Sequence, residues 1–421
     1  MTRTALLLLI SASLPWPCTW AAENVHQPSP LELSGIVELQ LSHNNGLTSW
    51  LDRGQGKHLH GGNNNNRIQN GLSGLELDYR LSHSAHLKAS VLYNQKPGNR
   101  LDVTELYWQY RPLRQSRWRP SYKVGFFYPN ISLENRGRLW SSPYTITSST
   151  INSWIGEELR TAGAEVHWRN LGRQRQSFHD FGVTTALFGF NDNTGSLLSW
   201  RGWTNSERQT GIGGRLPLAN RPTFAPGRVL ADQTPEVEPF IERDNRIGYY
   251  SGLHWNYRQS TKAALHYYDN NADPSAFERG QYAWHTRFLH LGAQHRIDSN
   301  WELLAQYMRG RTQMDNSAGN VVYNHFDSGY LMLAGRWGPQ RLALRWESFH
   351  VDDLDGTFMD SNGENGSSAT ISYSYRVGEH WKFTGEAINI RSDRRERRYS
   401  GLSQQADETR LLFSTRYFWA S

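Results

Sequence analysis

The chain has 421 residues, 13% of them aromatic, with 17 Trp and 20 Tyr, and a formal charge of +6 from 45 basic and 39 acidic residues. Such a length suits two or three soluble domains or one large barrel, and so mild a charge, with no basic stripe, argues against a nucleic-acid partner. Mean hydropathy is polar at −0.69, and no apolar run beyond the N-terminus is long enough for a membrane helix, which excludes helical insertion and leaves a transmembrane β-barrel open.

The N-terminus reads as a secretory signal peptide over residues 1–22. Arg3 precedes the apolar run Ala5 to Ile10, Pro15 and Pro17 break it, and Thr19-Trp-Ala-Ala22 supplies small residues for cleavage near Ala21 or Ala22. Cys18, the sole cysteine, would leave with that segment. The mature chain then has no disulfide and depends on packing and backbone hydrogen bonds. Residues 23–421 are expected to form a single barrel.

Period-2 alternation begins at Leu31 to Leu41, with Leu31, Leu33, Val37, Leu39 and Leu41 on one face and Glu32, Ser34, Glu38 and Gln40 on the other. The tract from there to Asn70 reads as a mobile polar loop. Its His58-x-His60 pair lacks a third metal ligand, so no cofactor is expected. Alternation resumes at Leu75 to Leu81, Leu87 to Asn94, Leu106 to Arg111, Trp118 to Tyr128 and Thr161 to Trp168. It continues at Phe181 to Phe190, Ile247 to Tyr257, Thr261 to Tyr268, Phe288 to Arg296 and Trp301 to Arg309. The last segments are Tyr330 to Trp337, Leu342 to His350, Ala369 to Tyr375, Trp381 to Ile390 and Arg410 to Trp419. Short turns alternate with long polar links such as Thr312 to Asn324. That rhythm predicts an all-β, up-and-down antiparallel transmembrane barrel of about 16 strands. Closure would hide every strand edge.

Two long segments interrupt the alternation. Residues 129–160 carry Leu133, Leu139, Trp140, Tyr144, Ile151, Trp154 and Ile155 together with charged groups. This apolar content predicts a loop folded into the lumen as a constriction. Residues 191–244, with four prolines from Pro217 to Pro235, read as a long external loop.

If the apolar face meets lipid, the opposite face lines the lumen. That set includes Arg80, Lys88, Arg119, Lys123, Lys262, Arg296, Arg336, Arg345, Lys382 and Arg416. It also includes Glu38, Glu76, Asp78, Glu105, Glu165, Glu302, Glu347 and Glu386. Charge is cheap on a watered lumen wall and costs kilocalories on the lipid face. Arg136 and Arg138 on the inner loop are the expected selectivity residues, with Lys123, Arg119 and Arg160 on the flanks and Glu134 opposing an anion.

The run Leu101-Asp-Val-Thr-Glu-Leu-Tyr-Trp-Gln-Tyr-Arg-Pro112, followed by Tyr122-Lys-Val-Gly-Phe-Phe-Tyr-Pro-Asn-Ile-Ser-Leu-Glu134, resembles the phosphate-selective (O/P-like) porin family of outer-membrane porins. The resemblance implies a 16-stranded channel of the bacterial outer membrane, typically a homotrimer, whose inner loop follows this second strand. It does not imply phosphate as the solute. The expected function is passive diffusion of small hydrophilic solutes, with a bias toward anions. An outer-membrane barrel enzyme is the first alternative; no Gly-x-Ser-x-Gly motif occurs, and the chain is read as a non-enzyme. A secreted all-β carbohydrate-binding protein is the second, and would need shorter strands in two packed sheets.

Overall fold

The computed structural model describes residues 30–62, 65–94, 100–113, 116–316 and 319–421. The expected signal segment lies outside the described residues. Sixteen strands form one closed antiparallel barrel. They are β1 Leu31–Asn45, β2 in two segments (Asn65–Asn70 and Ser73–Arg80), β3 Ala85–Tyr93, β4 Leu101–Tyr110, β5 Trp118–Phe127 and β6 Thr161–Asn170. Then come β7 His179–Gly189, β8 Gly248–Tyr257, β9 Thr261–Asp269, β10 His285–Arg296 and β11 Trp301–Asn316. The last five are β12 Gly319–Trp337, β13 Gln340–Asp353, β14 Glu364–Val377, β15 Trp381–Arg394 and β16 Gln405–Ala420. β16 pairs with β1, placing Arg416 opposite Glu38, and closes the wall.

The alternation sets the two faces. Val37, Leu39 and Leu41 are exposed on the outside of β1, while Glu38, Gln40 and Ser42 are buried inside. The same parity puts Leu344 and Trp346 outside β13 and Arg345 and Glu347 inside it. Aromatic pairs sit near the short turns on the outer face, among them Trp301 against Trp337 at 4.9 Å and Trp381 against Tyr417 at 4.9 Å. Amphipathic rings suit a membrane–water boundary.

Two expected loops are strand. Asn65–Asn70 pairs with Leu39 to Asn44 of β1. Its only apolar residue is Ile68, too little to show as alternation. The expected polar link 312–324 is largely β11 paired with β12, with Met314 opposite Val322. Met314, Val321 and Val322 face an inner apolar cluster around Trp284, and that burial stabilises the extension.

Two short helices lie inside the wall, α1 at Thr150–Glu158 and α2 at Ser196–Arg201. Every residue of α1 is buried. Ile151, Trp154 and Ile155 pack against inward residues of the wall, including Phe288, Met308, Phe326, Phe349 and Ile388. A barrel of this strand number would otherwise enclose an aqueous channel. Here an apolar core occupies part of its interior.

Candidate functional site

Ahead of α1 the inner segment enters the barrel with little regular structure, so the backbone N–H groups there and at the helix start need partners in place of water. Inward carboxylates of the wall supply them. Glu386 on β15 accepts from Ile146 N at 2.6 Å and Thr147 N at 3.0 Å. Glu347 on β13 accepts from Thr150 N at 2.7 Å. Three strands further round the wall, Glu76 on β2 accepts from Leu139 N at 2.5 Å. Strand alternation therefore creates a set of sockets, and the inner loop plugs its backbone into them. Ser149 caps α1 by accepting from Asn152 N at 3.3 Å.

Glu134 is buried at the centre of this arrangement. It accepts from Arg345 Nη1 at 2.5 Å, Ser149 N at 3.0 Å and Asn152 Nδ2 at 2.9 Å. Arg345 also donates to Glu347 at 2.8 Å and to the Thr147 carbonyl at 2.9 Å. Arg160 is also fully buried, with its guanidinium on the carbonyls of Thr104 at 3.1 Å, Leu159 at 2.8 Å and Thr210 at 3.2 Å, and hydrogen-bonded to Tyr128 Oη. Both residues tie the inner loop down by contacts that leave them no free face for a solute.

The remaining expected residues stand elsewhere. Lys123 lies 3.6 Å from Glu165 and over the rings of Tyr107 and Phe127. Arg119 is half-buried in β5, one strand position from the turn end. Arg136 donates to Gln294 at 2.8 Å and Arg138 to the Trp419 carbonyl at 3.0 Å. The two inner-loop arginines thus reach the short-turn end of the barrel, where each borders a cavity.

Arg138 lines a cavity of 430 Å³ with Arg336, Arg341, Arg376, Lys382 and Arg416; Glu379 is the acid in its lining. Arg416 is paired with Glu38 at 3.0 Å. Arg136 lines a second cavity of 200 Å³ with Arg169, Lys262, His167, His254 and Asp180. The first cavity collects cations from the inner loop and from the turn ends of β12 to β16. Arg341 and Arg376 are not in the expected lumen set. They share the inward parity of Arg345 and Ser374, so carrying the alternation to the end of each strand would have found them. At the long-loop end a third cavity of 280 Å³ carries mixed charge, from Asp52, His60, Arg67, Glu207 and Arg208.

The segment 191–244, expected as a long external loop, also sends residues into the barrel. Leu197, Leu198, Trp200 and Trp203 are buried, and Trp203 packs on Trp154 with ring centroids 6.0 Å apart. Glu158, the last residue of α1, accepts from Gly195 N at 3.1 Å, Ser196 Oγ at 2.9 Å and Leu197 N at 2.8 Å. Those donors open α2 and have no partner within the helix. Gly202 ends α2 at φ +78, where an added Cβ would strike Glu364. The tract has few apolar residues spread over many polar ones, so it carries no periodic signal for an inward course. His58 is also buried, and burial pushes its imidazole down to about 3.

One pH effect follows from this segment. Burial, with Glu242 and Asp244 beside it, raises the Asp192 carboxyl to about 7. An unfolded aspartate titrates at about 3.9. The folded segment therefore holds an extra proton between those values, and its stability falls as pH rises through about 7. Amide protection factors over 191–201, which divide out the base-catalysed intrinsic rate, are expected to fall from pH 5 to pH 8. Asp192→Asn should flatten that dependence; an unchanged slope in the variant would assign it to another group.

A scan of family models and a search of curated proteins returned no match to this sequence. Solved structures do match. The outer membrane channel DcaP of Acinetobacter baumannii superposes with a TM-score of 0.56 at 12% identity, over 92% of this chain and 97% of that one. OmpF of Salmonella typhi, in complex with daunomycin, gives 0.52 at 12% identity over 92% and 97%. The in-vitro folded trimer form of OmpT, an outer membrane protein of Vibrio cholerae, gives 0.51 at 10% identity over 92% and 99%. At these identities the likeness is one of fold: a closed barrel of the outer-membrane channel type.

Proposed function

We propose that this protein is an outer-membrane channel for passive diffusion of small hydrophilic solutes, biased toward anions. A cleaved signal peptide at 1–22 would deliver it, and the loop 129–160 would act as its constriction. The observation that carries the anion bias is the short-turn mouth, where five arginines and a lysine line a 430 Å³ cavity against Glu379. Converging cations in a low-dielectric wall focus potential and concentrate counter-ions at the entrance. Arg138 and Arg136 keep a selectivity role in this reading, by bordering the two mouth cavities. Glu134 and Arg160 are assigned to anchoring the loop, because both are buried and fully engaged. The local likeness to phosphate-selective porins supports an anion without naming phosphate. A homotrimer is proposed from that likeness and from the trimer form of OmpT.

Reversal potential in a KCl gradient across a planar bilayer tests the bias. Chloride is expected to permeate in preference to potassium. Arg336→Glu with Arg376→Glu, both at exposed strand ends, should lower the chloride-to-potassium permeability ratio by roughly tenfold. A cation-selective wild type would remove the anion reading and keep the channel.

A further inference from the structure

Two of the three cavities approach each other along the wall formed by β1 to β3. Leu72 and Leu92 line the cavity at the long-loop end. They also belong to a four-residue apolar cluster with Ile36 and Leu139. Phe418 packs on this cluster and lines the basic mouth cavity. Leu139 is the member that comes from the inner loop, and it is 1% exposed. Gln209, a liner of the first cavity, donates to the Leu139 carbonyl at 2.7 Å. Arg138, the preceding residue, lines the second. Leu139 thus stands next to lining residues of both spaces.

The backbone at this point is unusual. Leu139 and Trp140 both have φ +51, the left-handed region, in succession. Side chains with a Cβ seldom adopt it, and bulky ones less than most. Several contacts hold it in place: Glu76 on Leu139 N at 2.5 Å, Asn135 Nδ2 on the Trp140 carbonyl at 2.9 Å, and Trp140 stacked on Tyr128 at 4.1 Å. A conformation kept by surrounding contacts can relax when one is lost. Return of Leu139 to the extended region would swing its side chain out of the cluster. α1, by contrast, is buried along its whole length in the large aromatic core.

We infer that solute crosses this protein off-axis, along the β1–β3 wall, and that Leu139 is the apolar plug that closes the route between the two cavities. The inference rests on the channel reading above. Apolar constrictions block hydrated solutes by excluding water, so the plug acts on anions and cations alike and is separate from the charge filter at the mouth.

Single-channel conductance in a planar bilayer tests it on the full chain, with heat-modified gel migration as the folding check. Leu139→Gly removes the side chain and tolerates the left-handed backbone. It is expected to raise conductance or open time at least threefold over wild type. Met308→Ala, on the β11 wall side of the large aromatic core and outside the inner loop, should leave both unchanged. Leu92→Ala, on the wall side of the cluster, is the second variant, and should act like Leu139→Gly if that protein fails to fold. A rise with Met308→Ala and none with Leu139→Gly or Leu92→Ala would move the route to the core side of the barrel and overturn the plug. Absence of discrete steps from wild type and every folded variant would instead remove the channel reading itself.

Discussion

Arg345→Met is expected to lower the stability of the folded barrel by about 3–5 kcal/mol, the range for removing one partner from a buried ion group. Arg345 is fully buried between Glu134 and Glu347. The substitution leaves two carboxylates facing each other without a cation, and takes from the Thr147 carbonyl the donor that Arg345 supplies at 2.9 Å. The inner loop suffers first, because Glu134 belongs to it and Glu347 holds its Thr150. Heat-modified migration in detergent should show the transition at a lower temperature, and proteolysis should cut within 129–160. A triple variant, Glu134→Gln, Arg345→Met and Glu347→Gln, removes all three charges together. It should recover much of the loss, because the penalty of the single variant is an uncompensated charge more than a lost attraction. Equal stability of the single variant and wild type would mean that water reaches this group.

Trp154→Ala is the second large effect, again at about 3–5 kcal/mol for a buried aromatic truncation. Trp154 is the hub of the aromatic core, with ring centroids 6.0 Å from Trp203, 5.7 Å from Phe288 and 5.5 Å from Phe326. It joins three parts of the chain: α1, the segment after α2, and the wall. Its indole N–H also bonds Glu158, which in turn holds the start of α2. Truncation leaves a cavity and takes one donor from a buried carboxylate. Both inner segments should loosen together, seen as faster amide exchange over 150–158 and 196–203. Trp154→Phe keeps the ring and should cost less than half as much. Loosening of 150–158 alone would mean that the two segments are independent units.

The wall was legible in the sequence. Alternation is a local property, since adjacent side chains of a strand point to opposite faces wherever the strand lies. Leu39 beside Gln40 and Leu344 beside Arg345 already state which faces outward. The failures lie where alternation is diluted. Ile68 stands alone among polar residues, and Met314 with Val322 marks a strand extension built on an inner cluster rather than on an apolar outer face. The basic mouth was half legible. Arg336, Lys382, Arg416 and Arg138 were in view singly, whereas their convergence depends on which strand ends meet.

The amino-acid sequence by itself determined a closed antiparallel barrel with a polar inner face and an irregular, apolar-rich segment between β5 and β6. Only the tertiary structure decided what the charged residues of that segment do. Glu134 and Arg345 lie 211 residues apart in the chain, and nothing local to either marks the other as its partner. Arg160, expected to meet solute, meets backbone carbonyls. Leu197 and Trp203 turn inward where an external loop was expected. The physical reason is common to these cases: a strand's facing is fixed by its neighbours in sequence, but the partner of a buried charge or ring is fixed by closure of the barrel around it.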